Sequence, residues 1–205
     1  MYTVYSRAGS GGFVVEAALD IAGQKFRLLS ERAGSDNPDF ARVSPLRQVP
    51  VLVLPDGRSL TESAAICLLL AERHPDAGLA PAPGSPERID FLRWLTFMAA
   101  TLYPALLRFY YAERSTTDAT GIEAVKAAAV IESDRHFGII EQALDGRAWI
   151  AGEPFSIADV YLLMLAHWVP GLDRPRPEWT NIMALCDRVK AIPAVARLNE
   201  SHRFW

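Results

Sequence analysis

Three short stretches carry the side chains that could do chemistry: Gly9-Ser10-Gly11-Gly12, Gln48-Val49-Pro50 and Glu62-Ser63. The residue before a proline is pushed toward extended geometry, and an X-Pro bond is the only kind that goes cis cheaply. A cis Val49-Pro50 bond would turn the Val49 N–H and C=O outward, where an extended peptide can pair with them by strand addition. A helix opening at Glu62-Ser63 offers unpaired N–H groups and a positive dipole end, which suit a carboxylate. The Glu62 carboxylate beside them can hold an ammonium. Such a patch would bind a peptide backbone together with a free amino-acid head group.

These stretches need a scaffold, and the residue pattern implies one. Residues 2–6 read as a strand, 13–22 as an apolar helix stopped by Gly23, 25–30 as a second strand and 38–43 as a short helix. Asp56-Gly57, a strong turn signal, joins strands at 51–54 and 58–60, and a helix follows over 62–73. This β-α-β, α, β-β-α order predicts an α/β thioredoxin-like N-terminal domain over residues 1–75. Residues 76–86 are dense in proline and glycine and lose all periodicity, as a linker does.

From residue 87 to 205 the pattern predicts an all-α C-terminal domain. One long helix over 86–113, bent at Pro104, is followed by helices over 120–144, 156–168, 177–192 and 193–201. Ser156 and Asp159 have the spacing of a capping box, a folding signal without catalytic weight.

Composition excludes several classes. Half of the 205 residues are hydrophobic and the formal net charge is −3, which fits a soluble globular protein without a basic nucleic-acid surface. The opening Tyr2-Thr3-Val4-Tyr5 is strand-like rather than a secretory leader, and the apolar runs are too short for a bilayer span. Cys67 and Cys186 sit far apart in apolar helices, and the absence of C-x-x-C disfavours a dithiol oxidoreductase. The four histidines lack metal-ligand spacing, so no metal is expected.

The Val49-Pro50 pair followed by Glu62-Ser63, together with Phe155-Ser156-Ile157-Ala158-Asp159-Val160 far downstream, resembles the cytosolic glutathione S-transferases of bacterial type. The resemblance spans the whole chain and implies glutathione as co-substrate, no metal, a homodimer and a cytoplasmic detoxification role. It further implies that the Val49 backbone and Pro50 hold the cysteinyl part of glutathione, while Glu62 and Ser63 hold the γ-glutamyl head group. Gln48, or else Arg47, would reach the glycyl carboxylate.

The family's activating Ser, Tyr or Cys lies in the turn between the first strand and first helix, which makes Ser10 the candidate catalytic residue. Ser10 is also a good helix N-cap, and Ser6 and Tyr5 stand in reserve. The electrophile pocket is expected along the long helix, at Tyr103, Arg108, Tyr110 and Tyr111, with Trp205 as a lid and His167 and Trp168 as packing. The function implied is glutathione-thiol attack on small hydrophobic electrophiles. Two alternatives share the fold: a glutathione-dependent reductase or peroxidase, and a non-catalytic binding or regulatory protein.

Overall fold

The computed structural model describes residues 1–169 and 178–205. The chain begins with β1 (Tyr2–Ser6), α1 (Gly12–Ile21), β2 (Phe26–Ser30), α2 (Pro38–Val43), β3 (Val51–Val53), β4 (Ser59–Leu60) and α3 (Ser63–Arg73). The four strands form one sheet in the order β2-β1-β3-β4, with β1 parallel to β2 and antiparallel to β3. Strand alternation sorts β1 between two cores. Tyr2 and Val4 face the main core, while Tyr5 joins Val51 and Phe40 of α2 on the opposite side.

Past a 3₁₀ turn at Pro75–Ala77 the fold is helical: α4 (Pro86–Phe97), α5 (Tyr103–Tyr110), α6 (Ile122–Ala143), α7 (Ile157–Ala166), α8 (Thr180–Lys190) and α9 (Pro193–His202). The expected start of the penultimate helix at Pro177 lies outside the described residues. Helices α1 and α7 are apolar almost all round, the mark of helices enclosed on every side. Helix α1 is walled by β1, α3, α7 and α9, so the sheet and the helical bundle share one core through it.

The long helix expected over 86–113 is in fact broken. A π-helical turn at Met98–Leu102 separates α4 from α5, and the Tyr103 N–H reaches the Met98 carbonyl five residues back. Pro104 explains the break, because it has no N–H to give the previous turn and its ring crowds the carbonyl there. The extra residue in the turn rotates everything after it, which sets where Tyr103 and Leu107 point.

The capping box forms as spaced. The buried Asp159 carboxylate accepts from the Ser156 N–H and the Ile150 N–H, each at 2.8 Å, and from the Ser156 hydroxyl at 3.1 Å. Burial pushes this carboxyl up to about 6 against the pull of those donors.

Candidate functional site

The turn from β1 into α1 is built on two glycines where a side chain would crowd its neighbours, most severely at Gly12. A Cβ on Gly12 would stand 1.8 Å from the Ser6 Oγ, and one on Gly11 would stand 2.7 Å from the Tyr103 hydroxyl. Behind this turn lies a buried polar chain. The Ser6 hydroxyl donates to Glu16 at 2.5 Å, the same carboxylate oxygen meets His202 Nε2 at 3.1 Å, and the Gly9 N–H donates to His202 Nδ1 at 3.3 Å. The C-terminal helix thereby fixes the turn from below.

Ser10 is buried on this turn. Its hydroxyl donates to the Arg7 carbonyl at 2.6 Å and accepts from the Gly12 N–H at 3.2 Å, a cap-like bond at the head of α1. The reserves do not reach open space. Ser6 is spent on Glu16, and Tyr5 packs on Phe40 with ring centroids 5.5 Å apart.

Two cavities lie side by side here, and the first opens onto this turn. The first, about 420 Å³, is lined by Ser10, Gly11, Gln48 and Val49 on one side and by Tyr103, Tyr110, Tyr111 and Trp168 on the other. The second, about 360 Å³, is lined by Gln48, Val49, Pro50, Glu62, Ser63 and Tyr161, among others. Gln48, Val49, Tyr103 and Leu107 belong to both walls, so the two spaces share a partition.

The Val49-Pro50 peptide bond is cis. Among the described residues nothing pairs with the Val49 N–H or C=O. The segment before it is pinned by the buried Ser44, whose Oγ accepts from the Gln48 N–H and donates to the Gln48 carbonyl, both at 2.9 Å. Glu62 caps α3 at φ 64°, ψ 99°, a conformation costly for any side chain other than glycine. Ser63 opens the helix, and its hydroxyl lies 2.8 Å from that of Tyr161 on α7.

Several expected site residues stand elsewhere. Arg108 lines neither cavity, because it faces α6 and is paired with Glu132. Arg47 also turns away, held by Asp36 at 2.9 Å. Trp205 is no lid. It rests edge-on against Phe13 at 6.3 Å, with Lys190 5.6 Å from its ring. Trp168, expected as packing, lines the first cavity instead, edge-on to Tyr103 at 5.0 Å, and its carbonyl accepts from the Tyr110 hydroxyl at 2.9 Å.

Sequence reasoning missed Arg7, Ser44, Arg114, Tyr161 and Trp168. Only Arg7, by its place in the active turn, had a signal that could have marked it. No cysteine lines either cavity: Cys67 is buried within α3, and burial pushes the Cys186 thiol up to about 12. No helix among the described residues is long and apolar enough to cross a membrane.

Comparison with known proteins gives a consistent answer. The family profile for the glutathione S-transferase N-terminal domain matches residues 14–73, and that for the C-terminal domain matches residues 94–193. The uncharacterized GST-like protein YncG of Escherichia coli K12 is 30% identical, with 94% of each chain covered. The disulfide-bond oxidoreductase YfcG of the same organism is 29% identical over 90% of this chain and 86% of its own. A sphingomonad glutathione S-transferase solved in complex with glutathione superposes with a TM-score of 0.84 at 27% identity, covering 98% of both chains.

Proposed function

The chain belongs to the glutathione S-transferase family, and from that premise we propose that it activates the thiol of glutathione for attack on small hydrophobic electrophiles. The observation that carries this reading is the pair of abutting cavities. One carries Glu62 and Ser63, the other Ser10 and an aromatic wall, and Val49 stands in the partition.

On this reading the γ-glutamyl carboxylate takes the free N–H groups at the head of α3 and the Ser63 hydroxyl, and its ammonium takes Glu62. The unpaired Val49 N–H and C=O bond to the cysteinyl backbone, and Gln48 reaches the glycyl end. The sulfur then falls beside Ser10 and the first turn of α1. A free thiol has a pKa of about 8.5, and lowering it by about two units takes roughly 2.7 kcal/mol. The α1 N-terminus and hydroxyl donors can supply that together.

Ser10 donates to sulfur only if its proton leaves the Arg7 carbonyl. The Tyr103 hydroxyl, packed against Gly11 at the same helix head, is a second donor facing the partition. In a substitution the thiolate sulfur bonds to the electrophilic carbon and the leaving group departs with its electron pair. The electrophile occupies the cavity walled by Tyr103, Tyr110, Tyr111 and Trp168. The same reading carries a cytoplasmic homodimer, for which the exposed Leu46, Ile89 and Leu92 offer apolar surface.

The relative named as a disulfide-bond oxidoreductase favours a second reading, reduction of a disulfide by glutathione. With no cysteine in either wall, a second glutathione would have to be the resolving thiol. The deciding experiment is retention on immobilised glutathione followed by parallel assays with an aryl chloride and a small disulfide. Conjugation supports the transferase and disulfide turnover alone supports the reductase. Retention without either leaves a binding protein, and no retention overturns all three.

A further inference from the structure

The aromatic cavity has two arginines, Arg7 and Arg114, in its wall and, among the described residues, no acidic residue in its lining. Arg7 stands on the turn after β1. Arg114 ends the 3₁₀ turn Ala112–Arg114 that follows α5, with its guanidinium 4.0 Å from the centroid of the Tyr111 ring. Neither takes a carboxylate partner among the described residues, whereas Arg47 and Arg108, which do not line the cavity, are held by Asp36 and Glu132.

An arginine stacked on a ring keeps its in-plane N–H fork free for a planar anion. The charge of Arg7 reaches inward as well. Burial pushes the Tyr103 hydroxyl up, and Arg7 opposes that push.

Resting on the transferase reading above, we propose that the second substrate is an aromatic electrophile bearing a carboxylate. Its ring lies against Tyr103, Tyr111 and Trp168, and its carboxylate meets Arg114 and Arg7. Leu107 and the aromatic wall supply apolar contact for the ring, and the arginines select the anion over its neutral analogue. In the reaction the glutathione sulfur bonds to the activated ring carbon, chloride leaves with the bonding pair, and the thiol proton passes to solvent.

The test pairs chlorodinitrobenzoate with its methyl ester, which differ in charge. Because the ester activates the ring more strongly than the carboxylate does, each kcat/KM is first divided by the rate constant of the same compound with free glutathione thiolate. The acid-to-ester ratios are taken from these normalised values. The wild-type protein should prefer the acid in this normalised kcat/KM by about fivefold or more at low salt, and the preference should shrink as salt rises. In Arg7→Gln/Arg114→Gln the ratio should fall to about one, through the KM of the aromatic substrate. A wild-type ratio at or below one would overturn the proposal. So would a preference surviving the double substitution, or a rise in KM confined to glutathione, which would hand both guanidiniums to the tripeptide.

If neither compound is conjugated, the transferase reading fails by itself. The anion preference is then read from binding of dinitrobenzoate and its ester to protein saturated with S-methylglutathione, followed by tryptophan fluorescence. Equal binding of the two overturns it.

Discussion

The hydroxyls of Ser63 and Tyr161 meet at 2.8 Å, joining the first turn of α3 to the centre of α7. Tyr161 is buried, so its hydroxyl depends on this partner, and Ser63 is held in one orientation beside the second cavity. Tyr161→Phe should therefore destabilise the fold by about 1 kcal/mol and weaken glutathione binding a few-fold, about as much as one neutral hydrogen bond is worth. Thermal melts and calorimetric titration of the same variant measure both.

Glu62 holds a positive φ that glycine would adopt without strain. Glu62→Gly should then stabilise the protein by about 1 kcal/mol while weakening glutathione binding by about 1–3 kcal/mol. Glu62→Gln should weaken binding similarly with no gain in melting temperature. A Glu62→Gly protein that melts lower would show that the strain is relieved by other contacts of the side chain.

Two hydroxyls stand at the head of α1, and they should share the work of holding a thiolate. Ser10→Ala and Tyr103→Phe should each raise the pKa of bound glutathione, by up to about one unit, followed through the ultraviolet absorbance of the thiolate. Unchanged values in both would leave the helix N-terminus as the main stabiliser.

Asp159 gives a pH dependence of definite sign. Its carboxyl is pushed by burial from an ordinary value of 3.8 to about 6. Between about pH 4 and 6 the folded state therefore binds more protons than the unfolded chain, so this residue's contribution is fully present at the acid end and is lost as pH rises. The change should be about 2–3 kcal/mol. It is read as the stability difference between wild type and Asp159→Asn across that window. The Asn variant should be less stable throughout, because its amide nitrogen accepts no hydrogen bond and one of the Ile150 and Ser156 N–H groups loses its acceptor.

Gly12 tests the close approach beneath the active turn. Gly12→Ala should cost about 3 kcal/mol or prevent folding, because the new methyl group would overlap Ser6. Adding Ser6→Gly should recover part of that loss in a denaturation experiment.

Much of this protein is written locally. The strand alternation of residues 2–6, the Asp56-Gly57 turn, the Ser156/Asp159 box and the apolar completeness of α7 each depend on neighbours within a few positions, so spacing alone discloses them. Val49-Pro50 and Glu62-Ser63 are legible for the same reason, since a helix head and a pre-proline edge are local geometries.

The rest was decided by packing across distance. The π turn before Pro104 rotates Tyr103 toward Gly11, and the fold brings Trp168 over the aromatic cavity. Arg108 is claimed by Glu132 on α6, while Arg7 and Arg114 are left facing the cavity. Which of several like side chains finds a partner depends on elements tens of residues away, and no local pattern encodes that. Composition and spacing can name the groups able to act, but only the folded chain determines which of them remain unspent.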